Sequence, residues 1–195
     1  RSWSQATRPW LYNPFIIRSL RDPRKNDFLH RYPVCVFISR KVSNIMDLLS
    51  IIKQRRSIRD FVKNQSIREE TINLILEAGI YAPSAGNMQS WQFFVVLQAE
   101  MRVKLMEAAH SQKFVAESPC VIVVCIDTAL ASERYGERGK KFYAIQDTAA
   151  AVQNMLLMAH DCQLGACWVG AFDPVKVAEV LQLNEIGRAS CRERV

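Results

Sequence analysis

A mixed α+β fold, with several helices around a small mixed or antiparallel sheet, is what this sequence predicts, and three observations carry the expectation. Apolar residues recur at helical spacing near 48–52, 66–79 and 142–162. Two short runs rich in aromatic and β-branched residues, W-Q-F-F-V-V-L at 91–97 and P-C-V-I-V-V-C-I at 119–126, read as strands. The seven glycines, at 79, 86, 136, 139, 165, 170 and 187, form neither G-x-G-x-x-G nor a Walker loop, which argues against a doubly wound nucleotide-binding sheet.

Taken in order, Leu48, Leu49, Ile51 and Ile52 give a first amphipathic helix that ends near the basic cluster at 55–59. Ser66 with Glu69 has the spacing of a capping box, and Ile72, Leu74, Ile75 and Ala78 carry a second helix to Gly79. A loop containing Pro83, Ser84, Gly86 and Asn87 leads into the strand at 91–97. Residues 100–117 read as helix, and 119–126 as a continuously apolar central strand. A long helix over 142–162 places Ile145, Ala149, Val152, Leu156 and Ala159 on one stripe. Gly165 ends it, A-C-W-V-G-A-F at 166–172 is a third strand, and Pro174 starts the last helix at its first turn.

The 195 residues suffice for one domain, and the 49% hydrophobic, 23% charged composition is that of an ordinary globular chain. Its net charge of +7 is uneven: residues 1–45 hold nine Lys and Arg against two Asp, while 46–195 hold 17 of each sign. A basic arm for nucleic acid is disfavoured because Pro9, Pro14, Pro23 and Pro33 interrupt the segment and no periodic pattern joins the charges. A secretory signal is not recognisable there. Met46, the first methionine, stands immediately before the first helical pattern. The expected organisation is therefore a non-native or disordered leader over 1–45, a folded domain over 46–183, and a foreign tail over 184–195, where G-R-A-S-C-R-E-R-V shows no pattern of its own. The six cysteines, at 35, 120, 125, 162, 167 and 191, read as small buried thiols of a cytoplasmic protein rather than a metal set, since no further ligand completes either C-x4-C pair.

The clearest chemical signal is R-R-S-I-R at 55–59, where three guanidinium groups and a hydroxyl can surround a phosphate with charge-assisted hydrogen bonds. Taken alone, such a cluster at a helix C-terminus is more often a solvated face. Three segments in series change that reading: R-R-S-I-R-D-F at 55–61, P-S-A-G-N-M-Q-S-W-Q-F at 83–93 and Q-D-T-A-A-A-V-Q-N-M-L-L-M-A at 146–159. In order and spacing they resemble the nitroreductase family, over 46–183.

The resemblance implies an intertwined homodimer with FMN at its interface. Two electrons from NADH or NADPH would pass through FMN to a nitroaromatic, a quinone or a similar acceptor by a ping-pong mechanism. Carried over position by position, Arg55, Ser57 and Arg59 would hold the FMN phosphate and ribityl chain, with Arg56 contributing through its backbone. Pro83, Ser84, Ala85 and Asn87 would approach from the other subunit, and Trp168, Val169 and Gly170 would lie along the ring. Trp91 and Trp168 are each open to a plain core role, and Asn87 to that of a turn residue with positive φ. No side chain is expected to be catalytic, no metal is expected, and the partners are a second copy and small molecules rather than nucleic acid or membrane. Past Leu183 the family's further strand and arm are not recognisable, so flavin affinity and dimer stability are expected to be weakened. Reductive dehalogenation or flavin destruction on the same scaffold, or an inert flavin-binding module, are the alternatives, and residues 128–141 leave the first two open.

Overall fold

The computed structural model describes residues 48–62 and 65–183, so the expected leader and tail lie outside the described residues. In chain order the elements are α1 (Leu48–Gln54), α2 (Glu69–Ile80), a 3-10 turn (Ala85–Asn87), β1 (Trp91–Val96), α3 (Ala99–Ala108), α4 (Phe114–Glu117), β2 (Val121–Ile126), α5 (Thr128–Arg138), a π turn (Gly139–Tyr143), α6 (Ala144–Asp161) and α7 (Pro174–Val180). The two strands pair antiparallel, with Trp91 opposite Ile126 and Val96 opposite Val121. Both ends of the ribbon are tied. Asp127 N donates to Ser90 O at 2.6 Å, and Arg102 Nη1 donates to Leu97 O at 2.6 Å and Pro119 O at 2.9 Å. Among the described residues no helix is long and apolar enough to cross a membrane.

The ribbon packs between two groups of helices. One core joins Val96 and Cys125 to Met101 and Leu105 of α3 and to Val177 of α7. The other joins Phe93 and Val124 to Ile75 of α2 and to Met155 and Ala159 of α6. The α2–α6 approach is close because Gly79 has no side chain: a Cβ there would stand 3.0 Å from the Met155 side chain and 3.1 Å from Phe93. Asn154 Nδ2 fastens the same pair by donating to Ala78 O at 3.1 Å. Helix α7 begins where Pro174 predicts, and Asp173 caps it by accepting from Val175 N and Lys176 N.

Several expectations are corrected. Ser66 does not cap α2: the N-cap is Arg68, without a side-chain bond, and Glu69 and Glu70 supply negative charge to the first turn instead. The helix expected over 100–117 breaks into α3 and α4, because His110 (φ 54°) and Ser111 (φ 58°) are left-handed. The buried face of α6 comprises Ala144, Asp147, Ala151, Met155, Leu156 and Ala159, so the expected stripe holds at Leu156 and Ala159 but not at Ile145, Ala149 and Val152. Ile145, Ala149 and Val152 are half-buried and line an apolar cavity of about 470 Å³. The expected strand over 166–172 does not form: both this segment and β2 line the cavity, and among the described residues its ladder contact is one parallel bridge between Ala166 and Ser57. β-branched composition suits a strand, but a strand also requires a neighbour.

Candidate functional site

The cluster at 55–59 follows directly from the end of α1, where Arg55 N still donates to Ile51 O at 3.0 Å. The chain then straightens, and Ser57 pairs with Ala166 while Ile58 N donates to Ala166 O at 2.9 Å. Gly165 permits this approach, since a Cβ there would meet Ile58 Cγ2 at 2.9 Å. The pairing sets Ser57 and Arg59 alongside the segment that continues into Trp168, Val169 and Gly170. Trp168 is 40% exposed, and a Cβ at Gly170 would meet open space.

Within the cluster the three arginines are not equivalent. Arg56 Nη1 donates to Lys53 O at 2.7 Å and Arg55 O at 3.0 Å, which turns its guanidinium back towards the main chain at the end of α1. Arg55 is half-buried, and the Arg59 guanidinium lies 5.8 Å from the centre of the Phe114 ring. Neither forms an ion pair among the described residues.

The loop at 83–87 is held elsewhere. Gly86 (φ 56°), Asn87 (φ 57°) and Gln89 (φ 50°) are all left-handed, so Asn87 is the turn residue its side chain tolerates. Ser84 Oγ accepts from Gln89 N at 3.0 Å, and Asn87 Oδ1 accepts from Gln89 Nε2 at 3.2 Å. The anchor is Asp147 of α6, whose Oδ1 accepts from Ala85 N at 3.0 Å. Asp147 is buried, and burial pushes its carboxyl above the ordinary carboxylate range, with the Ala85 N–H opposing the shift. Sequence reasoning missed this residue as a site element. Its partner is 62 positions away, and only an acid within an apolar-rich stretch of the helix hinted at a role. Trp91, 6% exposed, packs with Ala82 and Ala151, so of the two tryptophans it is the core one.

Helix α6 measures the distance between the two groups. The 83–87 loop is tied at Asp147, whereas Ala166 packs against Met155 and Ala159, eight and twelve residues further along. At about 1.5 Å per residue that is roughly 12–18 Å. Arg55–Arg59 and Trp168–Gly170 are therefore brought together within one protomer, and Pro83–Asn87 stand apart from them. The apolar cavity touches Trp168 and Val169 but neither Arg55, Ser57 and Arg59 nor the loop.

With this geometry in place, comparisons with known proteins agree on one family. The sequence profile of the nitroreductase family matches residues 52–117 and 107–191. A Methanothermobacter thermautotrophicus protein, provisionally named NADH dehydrogenase/NAD(P)H nitroreductase, is 40% identical over 139 residues, covering 71% of this chain and 68% of its own. The Thermus thermophilus protein named NADH dehydrogenase is 30% identical over 166 residues, 71% of this chain and 80% of its own. Among solved structures, a nitroreductase family protein from Clostridium novyi aligns with a TM-score of 0.65 at 27% identity, covering 72% of this chain and 79% of that one. A provisionally named nitroreductase from Desulfovibrio desulfuricans, solved in complex with FMN, gives a TM-score of 0.60 at 35% identity, covering 71% and 76%.

Proposed function

This chain belongs to the nitroreductase family as an NAD(P)H-dependent, nitroreductase-like enzyme, and from that premise we propose that it uses FMN to pass two electrons to a nitroaromatic, a quinone or a similar acceptor. The observation that carries the proposal is the Ser57–Ala166 bridge, which sets a cationic cluster beside an open backbone segment. Arg55, Ser57 and Arg59 would hold the phosphate, since the two guanidinium groups lack carboxylate partners among the described residues and can form forked, charge-assisted bonds. Trp168–Gly170 would border the ring, where the uncrowded Gly170 leaves a flat ligand room to approach the main chain.

When bound, FMN would supply the two-electron exchange. For a quinone the balance is NAD(P)H plus one proton plus quinone giving NAD(P)+ plus hydroquinone. Donor and acceptor would occupy one surface in turn, so ping-pong kinetics are expected.

A homodimer belongs to the same reading. Pro83, Ser84, Ala85 and Asn87 stand roughly 12–18 Å along α6 from the cluster, so a second copy is the natural source of a loop that completes the site. The exposed apolar side chains Leu48 (65%), Leu49 (56%) and Ile52 (49%) of α1 offer surface for such a contact. Cys120, Cys125, Cys162 and Cys167 form no disulfide among the described residues, which suits a reducing cytoplasm.

The test is to purify the protein, record the visible flavin bands, and add NADH or NADPH under nitrogen. Bleaching of the bands, followed by recovery with a quinone, is the expected result. A colourless protein that neither takes up FMN nor oxidises either nicotinamide would overturn the proposal. Sedimentation at the same concentrations reads the dimer.

A further inference from the structure

The region that resisted sequence reading, 128–141, carries with Phe142 and Tyr143 an unassigned group of side chains. Helix α5 is kinked at Gly136 (φ 53°, ψ −137°) and passes into the π turn Gly139–Tyr143. Gly139 packs against the α5 backbone, where a Cβ would collide with the Ala131 carbonyl. The fold-back brings Tyr135 and Tyr143 edge to face at 5.1 Å. Arg138 lies over both the Tyr143 ring (5.3 Å) and the Phe142 ring (5.4 Å), and its Nε donates to Tyr143 Oη at 2.8 Å. Arg134 lies over the Tyr135 ring at 5.5 Å.

The charges there are unevenly satisfied. Glu137 is shared by Lys140 at 3.2 Å and Lys141 at 3.1 Å. Arg134 and Arg138 have no ion pair among the described residues. Both are exposed, and the terminal nitrogens of Arg138 keep their donors while its stem is fixed by two rings and one hydrogen bond. Fixing a guanidinium in this way removes much of the entropic cost of binding an anion. Phe142, 49% exposed, offers an aromatic face beside it. The group also touches the candidate site: a Cβ on Gly86 would stand 2.6 Å from Tyr135 Oη and 3.0 Å from Arg134 Nη1.

We propose that Arg134 and Arg138, with the rings of Tyr135, Phe142 and Tyr143, form the subsite for the adenosine 2′-phosphate of NADPH, and so make NADPH the preferred donor. The inference rests on the donor role proposed above. Two uncompensated guanidinium forks suit a phosphate monoester, and the exposed ring suits the adenine next to it. A neutral quinone or nitroaromatic has nothing to give the forks. NADH and NADPH differ only in that phosphate, so the cluster bears directly on the choice between them.

The experiment compares kcat/KM for NADPH and NADH, by anaerobic flavin reduction, in the FMN-loaded protein and in the Arg134→Gln/Arg138→Gln double variant, with FMN content measured in both. The wild type is expected to favour NADPH at least about tenfold, and the variant to lose most of that ratio, as removal of charge-assisted bonds implies. Equal use of both donors by the wild type, or an unchanged ratio in the variant, would sink the inference. So would a variant whose only defect is with an anionic acceptor such as 4-nitrobenzoate and not with nitrobenzene, since the cluster would then read the acceptor. Reduction by neither donor would instead refute the donor role. Calorimetric titration with 2′,5′-ADP decides the subsite separately: binding that the variant loses supports it, and no binding by the wild type overturns it.

Discussion

Two regions of this molecule are held in different ways. The loop at 82–91 is built into the body. Trp91 and Ala82 pack on Ala151, Ser84 and Asn87 close the turn internally, and Asp147 reaches up from α6 to the Ala85 N–H. The strip formed by 57–59 and 165–170 is held by the Ser57–Ala166 bridge, a backbone hydrogen bond at 2.9 Å, the fit of Ile58 on Gly165 and the partly buried side chains of Ala166 and Val169, with an apolar cavity behind it. The first is stabilised mainly by burial, the second by backbone pairing with partial burial of Ala166 and Val169. Arg59 and Trp168 in the strip are exposed, whereas Trp91 and Asp147 at the loop are buried.

The two tryptophans give the sharpest test of that contrast. Trp91→Ala removes a side chain that is 6% exposed and should cost about 3–5 kcal/mol of stability. Trp168→Ala removes one that is 40% exposed and should cost about 1 kcal/mol or less while weakening FMN binding. Urea unfolding and FMN fluorescence titration read the two effects. If Trp168→Ala is as destabilising as Trp91→Ala, the strip belongs to the core and the contrast is void.

The strip can also be probed through its charges. Arg55→Ala and Arg59→Ala should each weaken FMN binding by about 1.5–3 kcal/mol, the worth of a hydrogen bond to a charged group. Neither should move the urea midpoint much, because both lack ion-pair partners among the described residues. Affinity that survives the double substitution would remove the phosphate assignment. A milder perturbation is Gly165→Ala, whose Cβ would press on Ile58 at 2.9 Å. It should cost about 1 kcal/mol, the low end for overpacking, because Ile58 is 39% exposed and can swing aside.

What was legible in the sequence follows the same division. Helices α1, α2, α6 and α7 and strands β1 and β2 announce themselves because apolar spacing is local. Helix α5 does not, since S-E-R-Y-G-E-R-G-K-K has no apolar stripe and its start depends on the Asp127 side chain accepting from Leu130 N. The expected third strand fails for the opposite reason: C-W-V-G has strand composition, but pairing is decided by a neighbour far away in the chain. R-R-S-I-R is readable as an anion cluster, whereas its position beside Trp168–Gly170 depends on Ser57 meeting Ala166, over 100 residues later. Asp147 looks like an interruption of an apolar helix until its bond to Ala85 is seen.

Asp147 also supplies the smallest and most specific prediction, because charge and hydrogen bonding can be separated there. Burial raises its carboxyl above the ordinary value of 3.8, so between 3.8 and the raised value the folded protein binds more protons than the unfolded chain. Stability therefore falls as pH rises through that window, and the cost of the buried charge persists at neutral pH. Asp147→Asn removes the charge but keeps an oxygen that can accept from Ala85 N. At pH 7 it should match or modestly exceed the wild type, because the cost of burying the charge is relieved while the acceptor is kept. The advantage should shrink as pH falls through the raised value and vanish only below 3.8, where the carboxyl is protonated in folded and unfolded chains alike. Asp147→Ala loses the acceptor at every pH, and the stranded Ala85 N–H should cost about 1 kcal/mol throughout. Urea midpoints for the three proteins from pH 4 to 7 separate these curves. A wild type clearly more stable than Asp147→Asn at pH 7 would mean that the carboxylate charge itself holds the loop, through a cation facing it, and that the body region depends on charge for its form in a way the strip does not.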